Sequence, residues 1–572
     1  MKQEIEKYLR QAILEAKKSE NWADFDMPKL GIERPKNEQF GDYTSNIAMV
    51  LARLVKKNPM EIAEAIKSQV LGSRFQVLEK VEIVAPGYIN FYLSKKYYHD
   101  SVLKILSEKE KYAQLSKKKE KVMVEYSQPN THKEFHIGHL RNVFTGSIIA
   151  NVLEKAGYEV IKANYIGDTG SHIAKCLWGL EKFHSNENLD DVADKAQFLG
   201  RVYTEAVRAI AENQQYEEEF KDLQKKFDEG DEELIALWEK TKQWSMDEFQ
   251  EIYDEIDAKF DVYFWESVEE QAGKEMLTEL LKHDFIKESE GAIVADLEKY
   301  NLGILVLRRK DGGVLYGLKD IPLAVKKFEE FKIDRSIVVV DIRQSLYFKQ
   351  IFKILELMGF KEDTKHVGYE FVTLKGSETM SSRKGNIIPA KVLINDVVGK
   401  VQEKFPGTDA AKGIGIGALK FFMLKYSVQS KIEFDVEESV RLDGATGPYV
   451  QYAHARICSI LAKARELKSS TFKDPKVELL ALLTHEKELS LIKELEKFPE
   501  MVEEVAESYE VHKLPHYAIK LADKFHSFYD SCRVIDEENP ELTEARLSLV
   551  QATKTVLAEV LRLIGVEAPE KM

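Results

Sequence analysis

Two strand–helix–strand patterns constrain the fold of this chain more than any other feature. The first begins with Lys-Val-Met-Val-Glu-Tyr-Ser at 121–127, continues with an apolar helix pattern over about 138–155, and ends in a strand pattern over 159–166. Gly157 stands where a glycine commonly ends a helix. Elements in this order are typical of parallel strands joined by a helix, so we predict a parallel sheet in this part of the chain.

The same pattern recurs further along the chain. A strand is predicted over 335–341, a helix over 345–357 and a second strand over 369–374, with Gly359 after the helix. Two such halves predict a doubly wound, Rossmann-like α/β fold that binds a nucleotide. The residues between the halves, from about 183 to 290, predict a mostly helical and acidic insertion.

The segments on either side of this fold have different patterns. Residues 1–110 combine helix patterns with strand patterns over 77–85 and 88–91, which predicts an N-terminal α/β domain. Residues 444–572 carry apolar residues at three- and four-residue spacing, which predicts an all-α helical bundle. The doubly wound domain would then span 111–443. A chain of 572 residues is too long for one core, so three or four domains are expected.

Cysteine usage and charge exclude several classes of protein. Cys176, Cys458 and Cys532 lie far apart without a Cys-x-x-Cys pair, so a disulfide framework and a four-thiolate zinc site are excluded and a cytoplasmic location is expected. No apolar run reaches the roughly 20 residues of a membrane helix, so no membrane partner is expected. The net charge of −14 by itself argues against a nucleic-acid partner, but binding depends on local basic faces.

A histidine motif stands at the junction of the first predicted strand and helix. The chain there is Pro-Asn-Thr-His-Lys-Glu-Phe-His-Ile-Gly-His at 129–139. A helix start at this junction presents free N–H groups and a positive dipole end to a ligand. His136 and His139 would add donors for phosphate oxygens, and Gly138 would leave room for an adenine or a phosphate. Four letters alone fit equally well with a helix start that happens to contain two histidines.

A second motif follows about 240 residues later, Thr-Met-Ser-Ser-Arg-Lys-Gly-Asn at 379–386. Small hydroxyls, two cations and a glycine suit the binding of a polyphosphate. Alone, this segment is more simply explained as a basic surface loop. In this order and at this distance, the two motifs together favour a nucleotide site.

The pair of motifs resembles the HIGH and KMSKS signatures of class I aminoacyl-tRNA synthetases. Other segments are similar to the arginyl enzymes of that class: Val-Glu-Tyr-Ser-Gln-Pro-Asn at 124–130, Asn-Tyr-Ile-Gly-Asp-Thr-Gly at 164–170, Leu-Tyr-Gly-Leu-Lys-Asp at 315–320, Val-Asp-Ile-Arg-Gln-Ser at 340–345 and Tyr-Val-Gln-Tyr-Ala-His-Ala-Arg at 449–456. The resemblance covers nearly the whole chain. It implies ATP-dependent activation of L-arginine to arginyl-adenylate and transfer to tRNA(Arg) by a cytoplasmic monomer, with Mg²⁺ brought by ATP and without zinc.

The resemblance also implies roles for individual residues. Catalysis is expected from Lys133, His136, His139, Arg383 and Lys384. Contacts to ATP are expected from Gly138, Met380, Ser381 and Ser382. Contacts to arginine are expected from Glu125, Asn130, Tyr316, Asp320 and Gln344. Contacts to tRNA are expected from Asn90, Phe91, Tyr449, Tyr452, His454, Arg456 and Met572.

Two of these roles concern the selection of arginine and the cation needed for catalysis. Two carboxylates placed around a guanidinium distinguish arginine from lysine through paired hydrogen bonds, and by resemblance these are Glu125 and Asp320. Without the resemblance, Glu125 is more simply a solvated acid at a strand end. Thr379 and Ser382 stand where the signature has lysines. Lys133 is our candidate for the missing cation, with Arg383 and Lys384 as alternatives.

Three other functions compete with this interpretation. A synthetase for another amino acid is one; a cysteinyl enzyme would need zinc ligands that are missing. A small nucleotidyltransferase with the same histidine motif would have no use for the C-terminal helices. A degenerate relative that only binds tRNA would not need both motifs.

Overall fold

The structure is a computed structural model that describes residues 1–72, 77–376, 388–467 and 477–572. The chain divides into two compact units. Unit 1 comprises residues 1–109, 461–496 and 527–553, and unit 2 comprises residues 110–460, 497–526 and 554–572.

The N-terminal part of unit 1 is an antiparallel sheet with helices packed on it. Its elements are α1 (Lys2–Ser19), β1 (Ile32–Glu33), β2 (Tyr43–Ser45), α2 (Ile47–Val55), α3 (Pro59–Gly72), β3 (Leu78–Val84), β4 (Tyr88–Leu93) and α4 (Lys95–Glu108). The strand order is β1-β2-β4-β3. In α1 the residues Ile5, Leu9 and Ile13 are buried because their four-residue spacing places them on one helix face. The helix and strand patterns predicted here are confirmed.

Unit 2 contains most of the remaining elements. The first are β5 (Lys121–Glu125), α5 (Ile137–Lys155), β6 (Glu159–Ile166), α6 (Ser171–Phe183), α7 (Lys195–Glu212), α8 (Gln214–Asp228), α9 (Glu232–Glu255), β7 (Val262–Trp265) and α10 (Glu266–Leu280). The next are β8 (Ile286–Ser289), β9 (Ala292–Asp296), β10 (Ile304–Arg308), α11 (Tyr316–Phe331), β11 (Arg335–Asp341), α12 (Ser345–Leu357), β12 (Asp363–Tyr369), β13 (Val372–Leu374), α13 (Ala390–Lys404), α14 (Ala411–Leu424), β14 (Ile432–Phe434) and α15 (Val436–Ser439).

A five-stranded parallel sheet in the order β7-β6-β5-β11-β12 forms the centre of unit 2. Val122, Met123 and Val124 of β5 are all fully buried, as expected for a parallel strand covered on both faces. The chain order of the strands reverses between β5 and β11, and in such folds ligands bind in the crevice at that point, beyond the carboxyl ends of the strands. The predicted doubly wound fold is therefore confirmed.

The last strand of the second half differs from its prediction over 369–374. The strand that pairs with β11 is β12 (Asp363–Tyr369), whereas β13 (Val372–Leu374) pairs with β14 in a separate sheet. Polar residues such as Thr364 and His366 weaken the apolar pattern of β12. They are tolerated because β12 is the edge strand of the sheet.

The predicted helical insertion over 183–290 contains elements of three kinds. Helices α7, α8 and α9 follow the prediction, and Leu199 and Val202 of α7 pack on Leu177 of α6 in a buried cluster. Strand β7 lies inside the predicted range but belongs to the central sheet. A small antiparallel sheet of β8, β9 and β10 follows α10. The helical insertion between β6 and β7 is therefore shorter than the predicted range of 183–290.

The C-terminal region is helical, as predicted. Its helices are α16 (Gly447–Glu466), α17 (Val477–Leu480), α18 (Glu486–Glu496), α19 (Phe498–Ser508), α20 (Lys513–Ser531) and α21 (Pro540–Ile564). Residues spaced three and four apart, such as Leu521, Ala522 and Phe525 of α20, are fully buried. Across the part of the chain that the structure describes, every helix is too short or too polar to cross a membrane.

Candidate active site

The loop that joins β5 to α5 has an unusual backbone. Ser127, Gln128 and His132 all have left-handed φ angles, of 76°, 52° and 61°. For residues other than glycine this backbone conformation costs conformational free energy. It is retained only where the surrounding structure holds the residue in place. Here the N–H of Ser127 donates to Asn142 Oδ1 at 2.6 Å, and the N–H of Gln128 donates to Asn164 Oδ1 at 3.1 Å. Two side-chain amides therefore fix the shape of the loop.

Tyr253 of α9 completes this network. Its hydroxyl lies 2.7 Å from Ser127 Oγ and accepts from Asn164 Nδ2 at 3.0 Å. Asn142 Nδ2 donates to the carbonyl of Val339 in β11 at 2.9 Å, so the network joins β5 to its neighbour. From the sequence we assigned no role to these residues, although Ser127 and Asn164 lie in two of the segments that resemble the arginyl enzymes. The available signal was an asparagine inside an apolar helix pattern and another inside an apolar strand pattern.

His136 and His139 cap the N-terminus of α5. The N–H of Gly138 donates to His136 Nδ1 at 3.1 Å, the N–H of His136 donates to His139 Nδ1 at 3.2 Å, and the rings stack with centroids 3.8 Å apart. Burial lowers the pKa of His136 to about 4 and the pKa of His139 well below its ordinary value. Both rings are therefore neutral at pH 7. Since each Nδ1 accepts, each Nε2 carries the hydrogen and is a donor for an anion.

Gly138 is placed where a side chain would disturb this pair. A Cβ atom there would lie 3.0 Å from His136 Cε1 and 3.1 Å from His136 Nδ1. These distances are tighter than ordinary contacts, so a larger residue would push the ring of His136 out of its position.

A cavity of about 1050 Å³ opens beyond the carboxyl ends of β5 and β11. Its walls contain the capping residues His136, Gly138 and His139. All five residues expected to contact arginine also line it: Glu125, Asn130, Tyr316, Asp320 and Gln344. The fold thus brings residues together that are up to 219 positions apart, from Glu125 to Gln344.

Glu125 and Asp320, two of the four carboxylates that line this cavity, have different surroundings. Glu125 Oε2 lies 2.5 Å from Lys327 Nζ, and Glu125 Oε1 accepts from Gln128 Nε2 at 2.7 Å. Asp320 Oδ2 accepts from the hydroxyl of Tyr347 at 2.5 Å. Asp320 Oδ1 is buried and, within the described ranges, has no hydrogen-bond partner. Burial raises the pKa of Asp320 to about 7.

Aromatic hydroxyls surround the same carboxylates. Tyr165 on β6 lines the cavity, and its buried hydroxyl also lacks a hydrogen-bond partner among the described residues. Burial raises the pKa of Tyr165 well above its ordinary value, and the carboxylates of Asp320, Glu266 and Glu125 add to the effect. Tyr316, at the start of α11, is 61% exposed. The cavity thus combines a buried, negatively charged end with an accessible aromatic ring.

A second cavity of about 1000 Å³ adjoins the first. Asn130, His136 and His139 line both cavities. The remaining walls of the second cavity contain three cations, three rings and three glutamates: Lys133, Arg201, Arg208, Phe183, Tyr203, Tyr216, Glu134, Glu205 and Glu212. Lys133 Nζ lies 5.6 Å from the ring centroid of Tyr203. Cations and aromatic rings in one groove suit a ligand that carries phosphates and bases.

Arg141, one turn into α5, connects this helix to two other segments. Its guanidinium donates to the carbonyls of Glu370 and Phe371 before β13, and to those of Ser427 and Val428 before β14. The side chain is almost completely buried, and burial lowers its pKa to about 10. Arg141 therefore holds the base of the β13–β14 sheet against the helix that begins with the histidine pair.

The second motif follows β13 directly. Met380, Ser381, Ser382, Arg383 and Lys384 lie outside the described residues. The chain that follows the motif is attached to the first motif: the N–H of Ile137 donates to the carbonyl of Ile388 at 3.2 Å, and the N–H of Ala390 donates to that of Phe135 at 2.8 Å. The described residues on both sides of the second motif are thus held beside the start of α5, by Arg141 and by these bonds.

The N-terminal residues expected to contact tRNA lie in the sheet of unit 1. Asn90 and Phe91 of β4 are only 2% and 1% exposed. Asn90 Oδ1 accepts from Thr44 Oγ1 of β2 at 2.6 Å, and Phe91 belongs to the core of unit 1. The contact of these two residues with tRNA stays a prediction. The alternation of β4 makes the sheet interior the simpler explanation of both residues.

The C-terminal residues expected to contact tRNA divide into two groups. His454 is buried, with Nδ1 2.8 Å from the carbonyl of Pro569, and its contact with tRNA stays a prediction. Tyr449, Tyr452, Arg456 and Met572 are half-buried. Arg456 Nη2 donates to the hydroxyl of Tyr452 at 2.7 Å, which pairs a cation with a ring on one face of α16.

Comparisons with known proteins agree with these features. Family models match three parts of the chain: the arginyl-tRNA synthetase N-terminal domain at residues 3–93, the catalytic domain of class I tRNA synthetases (R) at 101–425, and the DALR anticodon-binding domain at 450–572. Arginine–tRNA ligase 1 of Bacillus cereus is 35% identical over 554 residues, 95% of each chain. Arginine–tRNA ligase of Enterococcus faecalis is 34% identical, again over 95% of each chain.

Solved structures show the same fold. Thermus thermophilus arginyl-tRNA synthetase matches with a TM-score of 0.81 and 28% identity, over 99% of this chain and 100% of that chain. Plasmodium falciparum arginyl-tRNA synthetase matches with a TM-score of 0.82 and 24% identity, over 100% and 99%. In each of the two comparisons, the match covers at least 99% of this chain and of the solved chain.

Proposed function

Because the chain belongs to the arginyl-tRNA synthetases of class I, we propose that its two adjoining cavities hold the reactants of arginine activation and transfer. The enzyme activates arginine with ATP and joins it to tRNA. In the first step an arginine carboxylate oxygen attacks the α-phosphate of ATP and pyrophosphate leaves. In the second, the 2′-hydroxyl of the terminal adenosine of tRNA(Arg) takes the arginyl group and AMP leaves.

The buried oxygen Oδ1 of Asp320 carries the proposal for the arginine site. A buried carboxylate oxygen without a donor is costly, and a guanidinium supplies planar N–H donors together with a positive charge. Lysine would bring a point charge without the planar fork. Asn130 and Gln344 line the same cavity and would hold the α-amino and carboxylate groups, while the exposed ring of Tyr316 would pack against the substrate.

The N-terminus of α5 supports the proposal for ATP. The Nε2–H groups of His136 and His139, together with the helix dipole, would bind phosphate oxygens while both rings stay neutral. Gly138 leaves the approach to the helix open. Positioning and charge stabilisation are the main requirements of phosphoryl-type transfer, and this arrangement meets both.

The developing negative charge on the phosphates needs a cation. We assign this role to Lys133, because it lines the same cavity as His136 and His139. Arg383 and Lys384, together with Met380, Ser381 and Ser382, remain proposals from the sequence. In the described part of the chain, no group of three or more His, Cys, Asp or Glu side chains is placed to hold a metal. Magnesium would enter with ATP, whose oxygens and water would supply most of its ligands.

The second cavity supports a proposal for the 3′ end of the tRNA. Tyr203 and Tyr216 offer rings on which bases can stack, and Arg201 and Arg208 can contact phosphates. The wall that it shares with the arginine cavity would bring the terminal ribose close to the adenylate.

The remaining roles follow from the family and stay proposals. The DALR region would bind the anticodon with Tyr449, Tyr452, Arg456 and Met572 as candidates. We propose a cytoplasmic, monomeric enzyme with an N-terminal domain over 1–110, a catalytic domain over 111–443 and an anticodon-binding domain over 444–572.

Exchange of labelled pyrophosphate into ATP tests the proposed function. With tRNA(Arg) present, arginine should support exchange and lysine should not. Charging of tRNA(Arg) with labelled arginine should follow. Exchange that depends on another amino acid, or on no amino acid, would contradict the proposal.

A further inference from the structure

Helix α9 holds the loop that joins β5 to α5, called the β5–α5 loop from here on. The hydroxyl of Tyr253 lies 2.7 Å from Ser127 Oγ. Two and three turns earlier in the helix, Ser245 Oγ accepts from the N–H of His132 at 2.9 Å, and Thr241 Oγ1 lies 2.7 Å from His132 Nε2. The position of α9 therefore fixes both left-handed parts of the loop that ends at the histidine pair.

The C-terminal end of α9 is held by Lys420 of α14. The ammonium of Lys420 donates to the carbonyl of Ile256, the residue that caps α9, at 2.7 Å. It also donates to the carbonyl of Gly565, which follows α21, at 2.6 Å. The last carbonyls of a helix lack partners within the helix and form the negative end of its dipole. Lys420 therefore supplies one cation to the ends of two helices.

The surroundings of Lys420 make this joint tight. The residue is only 5% exposed, and within the described ranges no carboxylate forms an ion pair with it. Burial lowers the pKa of Lys420 to about 8, so the group is still mainly an ammonium at pH 7. Gly565 has a left-handed φ of 73°, and a Cβ there would lie 3.0 Å from Lys420 Nζ. A buried charge is costly unless its hydrogen bonds are kept, so the ammonium holds both carbonyls in place.

The same end of α21 is attached to α5. Asn151 Nδ2 donates to the carbonyl of Leu563 at 3.2 Å, and Lys155 Nζ lies 2.7 Å from Glu559 Oε1. The side chains of Lys155 and Glu559 are 1% and 5% exposed, and a buried ion pair that loses one partner is strongly destabilising. Since α5 begins with the histidine pair, the last turns of α21 are joined to both helices that shape the β5–α5 loop.

We propose that Lys420 is a positioning residue for catalysis. By joining the end of α9 to the end of α21, which is anchored on α5, it keeps α9 and α5 at the spacing at which the β5–α5 loop presents the histidine pair to the phosphates. The inference rests on the proposed binding of the phosphates at the start of α5. A displacement of about 1 Å can lower a rate about a hundredfold, so a joint far from the reacting atoms can control the chemistry.

A double-mutant cycle between Lys420 and Tyr253 tests the proposal. The measured quantity is the single-turnover rate constant for formation of arginyl-tRNA, with enzyme in excess over tRNA(Arg) and with saturating arginine and ATP. Under these conditions the rate constant does not depend on the fraction of enzyme that is folded. Lys420→Met and Tyr253→Phe should each lower it about tenfold. Because both changes release the same loop, the double variant should be within about threefold of the slower single variant.

Lys425→Met is the matched control. Lys425 follows α14 directly and is 9% exposed, and its ammonium donates to Glu438 Oε1 at 3.0 Å and to the carbonyl of Ala445 at 3.2 Å. Neither partner belongs to α9 or α21. This buried lysine therefore matches Lys420 in chemistry but not in position, and its variant should keep the rate constant of the parent enzyme.

A milder variant covers the case in which Lys420→Met does not fold. Asn151 is half-buried, and Asn151→Ala removes one bond between α5 and the end of α21. It should lower the rate constant about threefold in the parent and have little effect in the Tyr253→Phe background. A rate constant equal to that of the parent would contradict the anchoring of α5 by α21.

The outcomes distinguish the inference from the function on which it rests. A double variant of Lys420 and Tyr253 about a hundredfold slower than the parent would mean that the two changes act independently, which refutes the joint. Lys420→Met as fast as the parent refutes it as well. His139→Ala should be about a hundredfold slower, because it removes a donor to the phosphates. If His139→Ala retains the parent rate constant, the phosphates bind elsewhere, whatever the cycle shows.

Discussion

The pH dependence of arginine binding should report the ionisation of Asp320. Burial raises the pKa of this carboxyl to about 7, and only the ionised form attracts a guanidinium. At pH 6 about one carboxyl in ten is ionised, and at pH 8 about nine in ten, so the apparent affinity should be about tenfold weaker at pH 6. The KM for arginine is therefore expected to fall as the pH rises through 7.

The assay is pyrophosphate exchange with saturating ATP and tRNA, with the KM for arginine determined in half-unit steps from pH 6 to pH 8. The KM for ATP should stay nearly constant over this range. The reason is that the pKa of His136 is lowered to about 4 and that of His139 lies well below its ordinary value, so neither ring changes its charge.

Two variants separate the effect of Asp320 from other titrations. Asp320→Asn should bind arginine weakly with little pH dependence. Glu248→Gln is the matched control, because burial also raises the pKa of Glu248 to about 7 although this residue lines neither cavity. It should keep the pH dependence of the parent enzyme. An arginine KM that varies less than about twofold from pH 6 to pH 8 would refute the assignment of the guanidinium to Asp320.

Three further predictions follow from the site and its charges. Lys133→Ala should lower kcat for activation by about 10²–10³ with little change in the KM for arginine, and adding Ser382→Lys should restore part of the rate. Asp320→Asn should raise the midpoint of thermal unfolding at pH 8, since a folded-state pKa above the unfolded value of 3.8 costs the parent roughly 2–4 kcal/mol of stability, which builds up as the pH rises from 4 to 7. The dissociation constant for tRNA should increase with salt despite the net charge of −14, because contacts of Lys and Arg with phosphates release counterions.

Each of these predictions has an outcome that contradicts it. Near-normal kcat in Lys133→Ala, with a large loss in Arg383→Ala, would move the catalytic cation to the second motif. An unfolding midpoint for Asp320→Asn that equals the parent value at pH 8 and at pH 5 would show that the buried carboxylate carries no penalty. A tRNA affinity that is independent of salt would exclude a phosphate-contacting surface.

The sequence predicted the parallel sheet because β5 and β11 have apolar centres and because a glycine follows each of the helices α5 and α12. Strands β6 and β11 and helix α12 have the predicted bounds. The last strand of the second half was predicted too late in the chain, because the edge strand β12 contains polar residues that hide its pattern. Strand β7 was not predicted, because four residues form too short a pattern.

The candidate site was less accessible from the sequence. The motifs identified residues that line the cavity. Local sequence patterns, however, do not reveal which side chains from distant parts of the chain form ion pairs. Lys327 pairs with Glu125 from a position 202 residues away, and no spacing rule predicts that contact. The burial of Asn90, Phe91 and His454 could not be predicted for the converse reason: a polar or aromatic residue type does not tell whether its side chain is exposed.

The guanidinium of Arg141 binds four main-chain carbonyls, and every amino acid carries a carbonyl. The side chains at positions 370, 371, 427 and 428 could therefore drift over generations without loss of this link. Position 141 has no such freedom, because a lysine ammonium has three donors at one point and cannot span two separate segments. One residue would thus preserve the spacing between the two signature motifs while the segments it holds diverge.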